Sequence, residues 1–332
     1  MDRAVFADPP MSKEEVPRKP AEPIIAPANR PADKSLVDLL IVIVNWNAGD
    51  KLASCLRSIP SAGEGLTVRV VVLDNASTDG SCEMVEGTFP DLEVMRSREN
   101  LGYARANNQV LKRYADSARF VLLLNPDTVV APDTFRRMLD FLEANSRAGI
   151  VGCRIVTPRG TLDWACKRAF LTPSLMFYKA LRLDKLLPKS PRFGRYQLTY
   201  LDENQIHEVD SVVGAFMMIR HECLQAVGLL DDSYFMYGED IDLCYRAKEA
   251  GWKVFYVPTA TVLHHKGEST RRYSYRMIHL WYESTWKFYR RRIGPNYSAA
   301  VNALVWSGLQ VMCATSLAAN FLRREKRVPS RR

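Results

Sequence analysis

No CxxC pair occurs in this chain, and its seven cysteines are scattered without a repeated spacing. An odd, unpatterned set argues against a disulfide framework and for buried thiols in a reducing compartment. Several enzyme signatures are missing as well. There is no GxGxxG, no GxxxxGK followed by Ser or Thr, and no GxSxG, so a dinucleotide cofactor, a P-loop and a serine hydrolase are unsupported. HExxH is absent too. The first residues contain no apolar h-region, so no signal peptide is expected. The α/β part lacks the interleaved aromatic and basic residues of a nucleic-acid module, and no nucleic-acid partner is expected.

What is present is a chain of 332 residues, 47% apolar and 25% charged, which is enough for one large domain or two small ones with an ordinary core. The formal net charge of +9 suits anionic partners, whether nucleic acid, an anionic membrane surface or a phosphorylated substrate, and composition does not choose among them. Residues 1–34 hold seven prolines and many charges and read as a flexible tail. Folded character starts with the continuous apolar run at residues 39–44, as in a strand covered on both faces. Leu52, Cys55, Leu56 and Ile59 then recur at helical spacing. Further strands are expected over 68–73, 92–96 and 119–124, alternating with helices. That alternation predicts an α/β fold built on a mostly parallel sheet flanked by helices. Residues 157–208 are irregular. A helix is expected to start near Glu239, extended segments at "KVFYV" and "ATVLHH", and helix again from Tyr275.

Residues 295–322 contain no charged residue and have basic neighbours on both sides, "YRRRIG" and "RREKR". Their length would span a bilayer. Asn302, Gln310, Asn320 and several hydroxyls keep the stretch only moderately apolar. A core helix, an interfacial helix and a span all fit it, and the basic flanks suit an anionic leaflet in either membrane reading.

Candidate chemistry sits at strand ends, where open α/β sheets bind ligands. Asp127, in "FVLLLNPDTVV", reads either as a turn aspartate after Pro126 or as an oxygen ligand for a hard divalent cation bridging to a diphosphate. His264 is its natural second ligand, or else a packed strand-end histidine. Asp74, in a stretch dense with turn formers, reads as a helix cap or as an acceptor for a nucleobase edge. Asp240 opens a helix.

Six motifs then occur in one order: "VIVNWN" (42–47), "VVLDNASTDGS" (71–81), "NLGYARANNQ" (100–109), "LLLNPDT" (122–128), the long stretch from "VVGAFMM" to "KEAGW" (212–252), and "VLHHKGEST" (262–270). Together they resemble the inverting glycosyltransferases of family 2, which have the GT-A fold. The closest likeness is to the rhamnosyltransferase-like branch of bacterial cell-wall and surface polysaccharide assembly. The resemblance covers roughly residues 39–270 and implies the following roles. Asn45 and Asn47 end the first strand where the family touches the nucleotide. Asp74 reads the pyrimidine base, with Asn75 beside it. Asn100, Gly102, Ala104, Asn107 and Asn108 form the donor-binding segment, Gly102 allowing close backbone approach to the ligand. A solvated helix face is the other reading of Asn107 and Asn108.

Asp127 matches the last aspartate of the metal motif. Asn125 stands where the more familiar form begins with an aspartate, so a single carboxylate remains for Mg²⁺ or Mn²⁺. That gives His264 more weight as a ligand, with His265 the less favoured neighbour. Asp240 resembles the catalytic base, with Glu239 orienting acceptor or loop and Asp242 structural. Lys266 would add charge near the diphosphate. The resemblance implies a metal-dependent inverting hexosyltransferase using a nucleotide-diphospho-sugar, first of all thymidine-diphospho-rhamnose. Galactofuranose, glucose or N-acetylglucosamine are the alternative sugars. The implied acceptor is a polyprenyl-diphosphate-linked glycan or a polysaccharide at the cytoplasmic face of the membrane. A non-catalytic sugar-nucleotide or glycan binder and a membrane-surface scaffold are the readings outside the enzyme class. Three regions are expected: the tail (1–34), the transferase domain (35–272), and a basic, membrane-associated helical region (273–332).

Overall fold

The computed structural model describes residues 36–265 and 274–325. The proline-rich tail, Lys266, and the end of the basic C-terminal flank fall outside the described residues. Strand β1 (Val37–Asn45) runs between β2 (Val68–Asp74) and β4 (Ala118–Leu124), parallel to both. Residues 39–43 have no exposed surface, so the unbroken apolar run reflects burial on both faces of the sheet. β3 (Glu93–Arg96) extends this parallel half beyond β2. Helix α1 (Asp50–Ala62) buries Leu52, Cys55, Leu56 and Ile59, the four residues whose spacing predicted it.

The other half of the sheet departs from the parallel expectation. Its strands are β5 (Thr128–Val130), β6 (Ala148–Val156), β7 (His207–Val209), β8 (Phe216–Arg220) and β9 (Lys253–His264). β8 lies antiparallel between β4 and β6, and β5 and β7 run antiparallel to β9. The order is β3-β2-β1-β4-β8-β6-β9-β5, and the sheet is mixed. Strand direction depends on how a distant segment returns to the sheet, which hydropathy within the strand does not record. The two extended segments expected at 253–264 are one strand. Its register against β6 jumps between the Cys153–Val257 and Arg154–Thr261 pairs. The residues between Val257 and Thr261, Pro258 among them, therefore form an irregularity where a proline costs no ladder bond.

Helices α2 (Ser81–Thr88), α3 (Gly102–Tyr114) and α4 (Thr134–Ala144) cover the sheet with α1. The irregular stretch contributes two short helices, α5 (Pro173–Ala180) and α6 (Leu183–Leu186). They are followed by α7 (His221–Val227), α8 (Glu239–Glu249), α9 (Ser274–Phe288) and the long α10 (Ala299–Glu325). All seven cysteines are free and buried, as their scatter implied. Burial pushes the Cys55 thiol up to about 12, leaving it inert.

Sheet register gathers the polar residues at one edge. Asn45 pairs with Asp74 at the ends of β1 and β2. β4 ends at Leu124 opposite Phe216, where β8 begins, and the Asn125 N–H donates to Ala215 O at 3.0 Å. Thr128 pairs with His264, which brings Asp127 and the end of β9 together.

Candidate active site

A cavity of about 860 Å³ opens along this edge, near the upper end of the ~300–1,000 Å³ typical of small-molecule sites. Of the residues singled out from sequence, Asn75, Asn100, Gly102, Asn125, Asp127, Glu239, Asp240 and His264 line it. They come from five of the six motifs and meet in one place. The opposite wall comes from α9, with Met277, Ile278, Trp281, Tyr282 and Phe288, and from Ser316 on α10. The α8 and strand-end residues bring carboxylates to the cavity, and α9 brings apolar and aromatic side chains.

On the polar side, Asp127 Oδ1 lies 3.1 Å from His264 Nε2. The Asn125 side-chain amide is 3.4 Å from the same ring nitrogen. The other ring nitrogen, Nδ1, faces the buried Asp163 carboxylate at 3.9 Å. A carboxylate backing a histidine is the usual outer-shell arrangement that orients an imidazole toward a metal. One carboxylate oxygen and one imidazole nitrogen converging on a cavity also suit a hard cation that takes its remaining ligands from substrate phosphates and water. Among the described residues no group of three or more His, Cys, Asp or Glu side chains could hold a metal ion by itself. Asp127 and His264 supply two donors, to which a divalent ion would have to add ligands from substrate and water.

Asp240 lies in the first turn of α8. Its Oδ2 accepts a hydrogen bond from the Arg168 guanidinium at 2.7 Å and from the Gly214 N–H at 3.2 Å. Arg168 also donates to Val212 O at 2.9 Å, so the base of the cavity is tied to the segment leading into β8. Beside it, Glu239 is buried, and its Oε2 has no hydrogen-bond partner among the described residues. Burial first, and the neighbouring Asp240 carboxylate second, raise Glu239 well above the ordinary carboxylate range and favour its neutral acid. Two adjacent carboxyls thus have opposite surroundings: one is paired with arginine, the other desolvated.

The turn before them is strained. Tyr237 has φ 68° and Gly238 φ 88°, and a left-handed tyrosine is uncommon enough to mark a tightly determined loop. Asp242 is fully buried and bonded to Arg246 at 2.8 Å and Arg292 at 2.7 Å, a structural clamp between α8 and the turn after α9.

Glu239 gives a stability signature. The folded chain holds its proton more tightly than the unfolded chain, where this side chain titrates near 4.5. Stability from this group is therefore full below that value and is lost as pH rises through the raised folded-state value. Glu239→Gln, which keeps the neutral shape, is expected to flatten this decline. Urea unfolding of both chains between about pH 5 and about pH 9 reads it, and equal pH slopes would reject it.

Other sequence-nominated residues do not reach the cavity wall. Asn45 has no exposed surface. Its amide donates to Asp74 Oδ1 at 2.9 Å, Ser81 Oγ at 2.8 Å and Ser77 Oγ at 3.1 Å. Asp74 also accepts the Ser77 N–H at 3.1 Å, the bond of a turn former. Asn47, at φ 53°, accepts the Thr78 N–H at 2.8 Å and shapes the same loop. Ala104 is buried in α3. Asn107 and Asn108 are buried rather than solvated. The Asn107 amide donates to Tyr103 O at 2.9 Å within its own helix. Asn108 clamps the 230–232 segment, donating to Leu230 O at 2.7 Å and to Asp232, and accepting the Leu230 N–H at 3.1 Å.

Asn75 lines the cavity and also positions it. It accepts the Leu101 N–H at 2.8 Å and donates to Asn100 Oδ1 at 3.1 Å. At Gly102 the close approach is to the chain itself: a Cβ there would lie 2.3 Å from Phe235 O, at φ +77°. Gly102→Ala is expected to destabilise the fold by about 3 kcal/mol, from strain and overpacking together. A urea midpoint equal to that of the parent would refute this.

The motif resemblance did not single out Arg168, Asp163 or the α9 wall. The first two sit in or beside the irregular 157–208 stretch, which has no periodicity to set them apart. The aromatic richness of α9 was the only signal for the third.

Residues 38–284 match the family described as "Glycosyltransferase like family 2". The chain belongs to glycosyltransferase family 2. It is similar to the N-acetylglucosaminyl-diphospho-decaprenol L-rhamnosyltransferase of Mycobacterium tuberculosis, at 32% identity over 71% of this chain and 79% of that one. It is also similar to the rhamnosyltransferase WbbL of Escherichia coli, at 25% identity over 58% of this chain and 71% of the other. Among solved structures, that of GalNAc-T7 with UDP, GalNAc and Mn²⁺ is similar at 18% identity and a TM-score of 0.47. The match covers 77% of this chain and 50% of that one. The family 2 assignment makes this protein a GT-A-like transferase that moves a sugar from a nucleotide donor to an acceptor.

Proposed function

We propose that this transferase moves rhamnose from thymidine-diphospho-rhamnose, with inversion and with a divalent metal, to a hydroxyl of a polyprenyl-diphosphate-linked glycan. The observation that carries the reading is one cavity shared by two sets of groups: Asp127 with His264 for the donor diphosphate, and Asp240 with Glu239 for the acceptor. The similarity to the mycobacterial rhamnosyltransferase supports the choice of donor sugar and the lipid-linked acceptor.

Inversion needs one displacement, in which the acceptor hydroxyl attacks the anomeric carbon opposite the leaving nucleoside diphosphate. The Asp240 carboxylate takes the hydroxyl proton as the new bond forms. Arg168 and the Gly214 N–H hold its Oδ2 and leave the carboxylate aimed by fixed donors. Glu239, neutral and unpaired at Oε2, donates to an acceptor oxygen and orients it. Asp127 and His264 would hold Mg²⁺ or Mn²⁺, whose charge offsets that growing on the leaving diphosphate. Asn75 and Asn100 carry the donor-facing loop, and Asp74, bonded to Asn45 and Ser77, braces it from behind. Lys266 is assigned the diphosphate side.

We place residues 35–272 as the catalytic unit and 273–332 as the membrane-facing region at the cytoplasmic leaflet. α10 buries only a stripe, Val305, Leu309 and Cys313, against the protein, while Leu304, Trp306, Val311 and Phe321 are exposed. That pattern favours an interfacial helix over a core helix, and the exposed Arg290 before it suits anionic headgroups.

Calorimetric titration with a panel of thymidine- and uridine-diphospho-sugars, with Mn²⁺ or Mg²⁺ and then with chelator, tests this reading. Metal-dependent binding selective for thymidine-diphospho-rhamnose is expected. Selective binding of a different nucleotide sugar would replace the donor.

A further inference from the structure

We propose that α5 and α6 form a second membrane-contact surface, resting on an anionic bilayer beside α10. Scattered surface apolar residues need no explanation, but clustered ones do. Twelve large apolar residues are exposed among the described residues. Five lie on α10, and four lie within residues 177–187: Phe177 (60%), Leu181 (55%), Leu186 (73%) and Leu187 (46%). The elements that carry the two clusters touch. α5 packs against α10, and Lys179 Nζ on α5 sits 5.5 Å from the Trp281 ring on α9.

The charge around the cluster selects the partner. Arg182, Lys185 and Lys189 are exposed among these apolar side chains and form no ion pair among the described residues. Asp184 is the only acid in residues 173–195, against six Lys and Arg. Large apolar side chains inserted between exposed cations suit the headgroup boundary of an anionic leaflet, where the stems bury and the charges stay at the phosphates. A protein partner of matching shape would not require that one-signed rim. The surface also lies beside the aromatic α9 wall of the cavity, so seating it on a bilayer sets the acceptor side of the active site at the headgroups. The inference rests on the membrane placement proposed for α10, and the two are separable.

The test is co-sedimentation of the full chain with vesicles of phosphatidylcholine alone and of phosphatidylglycerol with phosphatidylcholine. Three variants are compared with the parent: Phe177→Ser/Leu181→Ser/Leu186→Ser/Leu187→Ser; Arg182→Glu/Lys185→Glu/Lys189→Glu; and, on α10, Leu304→Ser/Val311→Ser. The parent is expected to prefer the anionic vesicles. Either α5–α6 variant should partition at least ~10-fold more weakly, given the roughly 1 kcal/mol per basic residue near an anionic surface. Nucleotide-sugar binding should be retained in both. The charge variant keeps the question open to test if the serine variant fails to fold. Because all seven native cysteines are buried, an environment-sensitive dye attached through Leu186→Cys should report transfer to an apolar medium on the same vesicles.

Parent-like binding by both α5–α6 variants, with release by the α10 variant, would overturn this surface and leave the α10 reading standing. No binding of the parent to either vesicle would overturn both. Self-association of the parent that the serine variant abolishes, with no vesicle dependence, would assign the face to a second copy of the chain.

Discussion

Asp240→Asn is expected to lower sugar transfer at least ~100-fold, the scale of a lost general base, while donor affinity stays near that of the parent. The separation follows from where the group sits. Asp240 Oδ2 is held by Arg168 and by the Gly214 N–H before β8, and its Oδ1 accepts the Ile241 N–H. An asparagine keeps the shape and can still accept from Arg168, so the cavity should survive. What disappears is the carboxylate proposed to take the hydroxyl proton. Initial rates at saturating donor, together with calorimetric donor binding, separate the two effects. Near-parent turnover would remove Asp240 from the base role and point to Glu239, the adjacent carboxyl. A parallel loss of donor affinity would instead mean that the substitution had disturbed the whole site. Arg168→Gln adds a check on positioning. If Arg168 acts by aiming Asp240, that variant should lower turnover at saturating donor while donor affinity stays near that of the parent, whereas a merely structural arginine would move stability alone.

The parallel half of the sheet was legible in the chain because its strands are buried on both faces and therefore read as unbroken apolar runs. The start of α8 near Glu239 was legible, since Gly238 and two acids punctuate it. Strand direction in the second half was not, because β8 has the same hydropathy in either direction and the excursion before it fixes the outcome. The site was legible at strand ends: Asp127, Asp240 and His264 meet although 137 residues separate the first from the last. The motif resemblance was less informative about Asn45, Ala104, Asn107 and Asn108, which lie off the cavity wall. An asparagine that faces a ligand and one that clamps a loop look alike in sequence. Asn108 shows the difference, because both ends of its amide are used by a segment 122 residues further on. Arg168 and Asp163 escaped notice for the opposite reason: they lie in or beside a stretch with no pattern, and only tertiary contact sets Arg168 beside Asp240 and Asp163 beside His264.

Asp127→Ala is expected to abolish most of the metal-dependent part of donor binding while leaving the fold intact. The side chain is partly open to the cavity, and its structural bonds run through the backbone, where Asp127 O accepts the His265 N–H at 2.8 Å. Truncation therefore removes the proposed ligand without removing the β5–β9 pairing. One imidazole remains, a poor match for a hard cation that prefers oxygen. The loss should exceed the ~10–100-fold that outer-shell changes bring, and Asp163→Asn, behind His264, should fall within that range. Calorimetry with Mn²⁺ and then with chelator reads both. In chelator, the parent and the Asp127→Ala chain should converge on the same weak donor affinity, because what remains is contact with the nucleoside and sugar alone. Metal-dependent binding that is unchanged in the variant would count against Asp127 as a ligand and return it to the role of a turn aspartate after Pro126. A variant weaker than the parent even in chelator would mean that the carboxylate touches the donor directly.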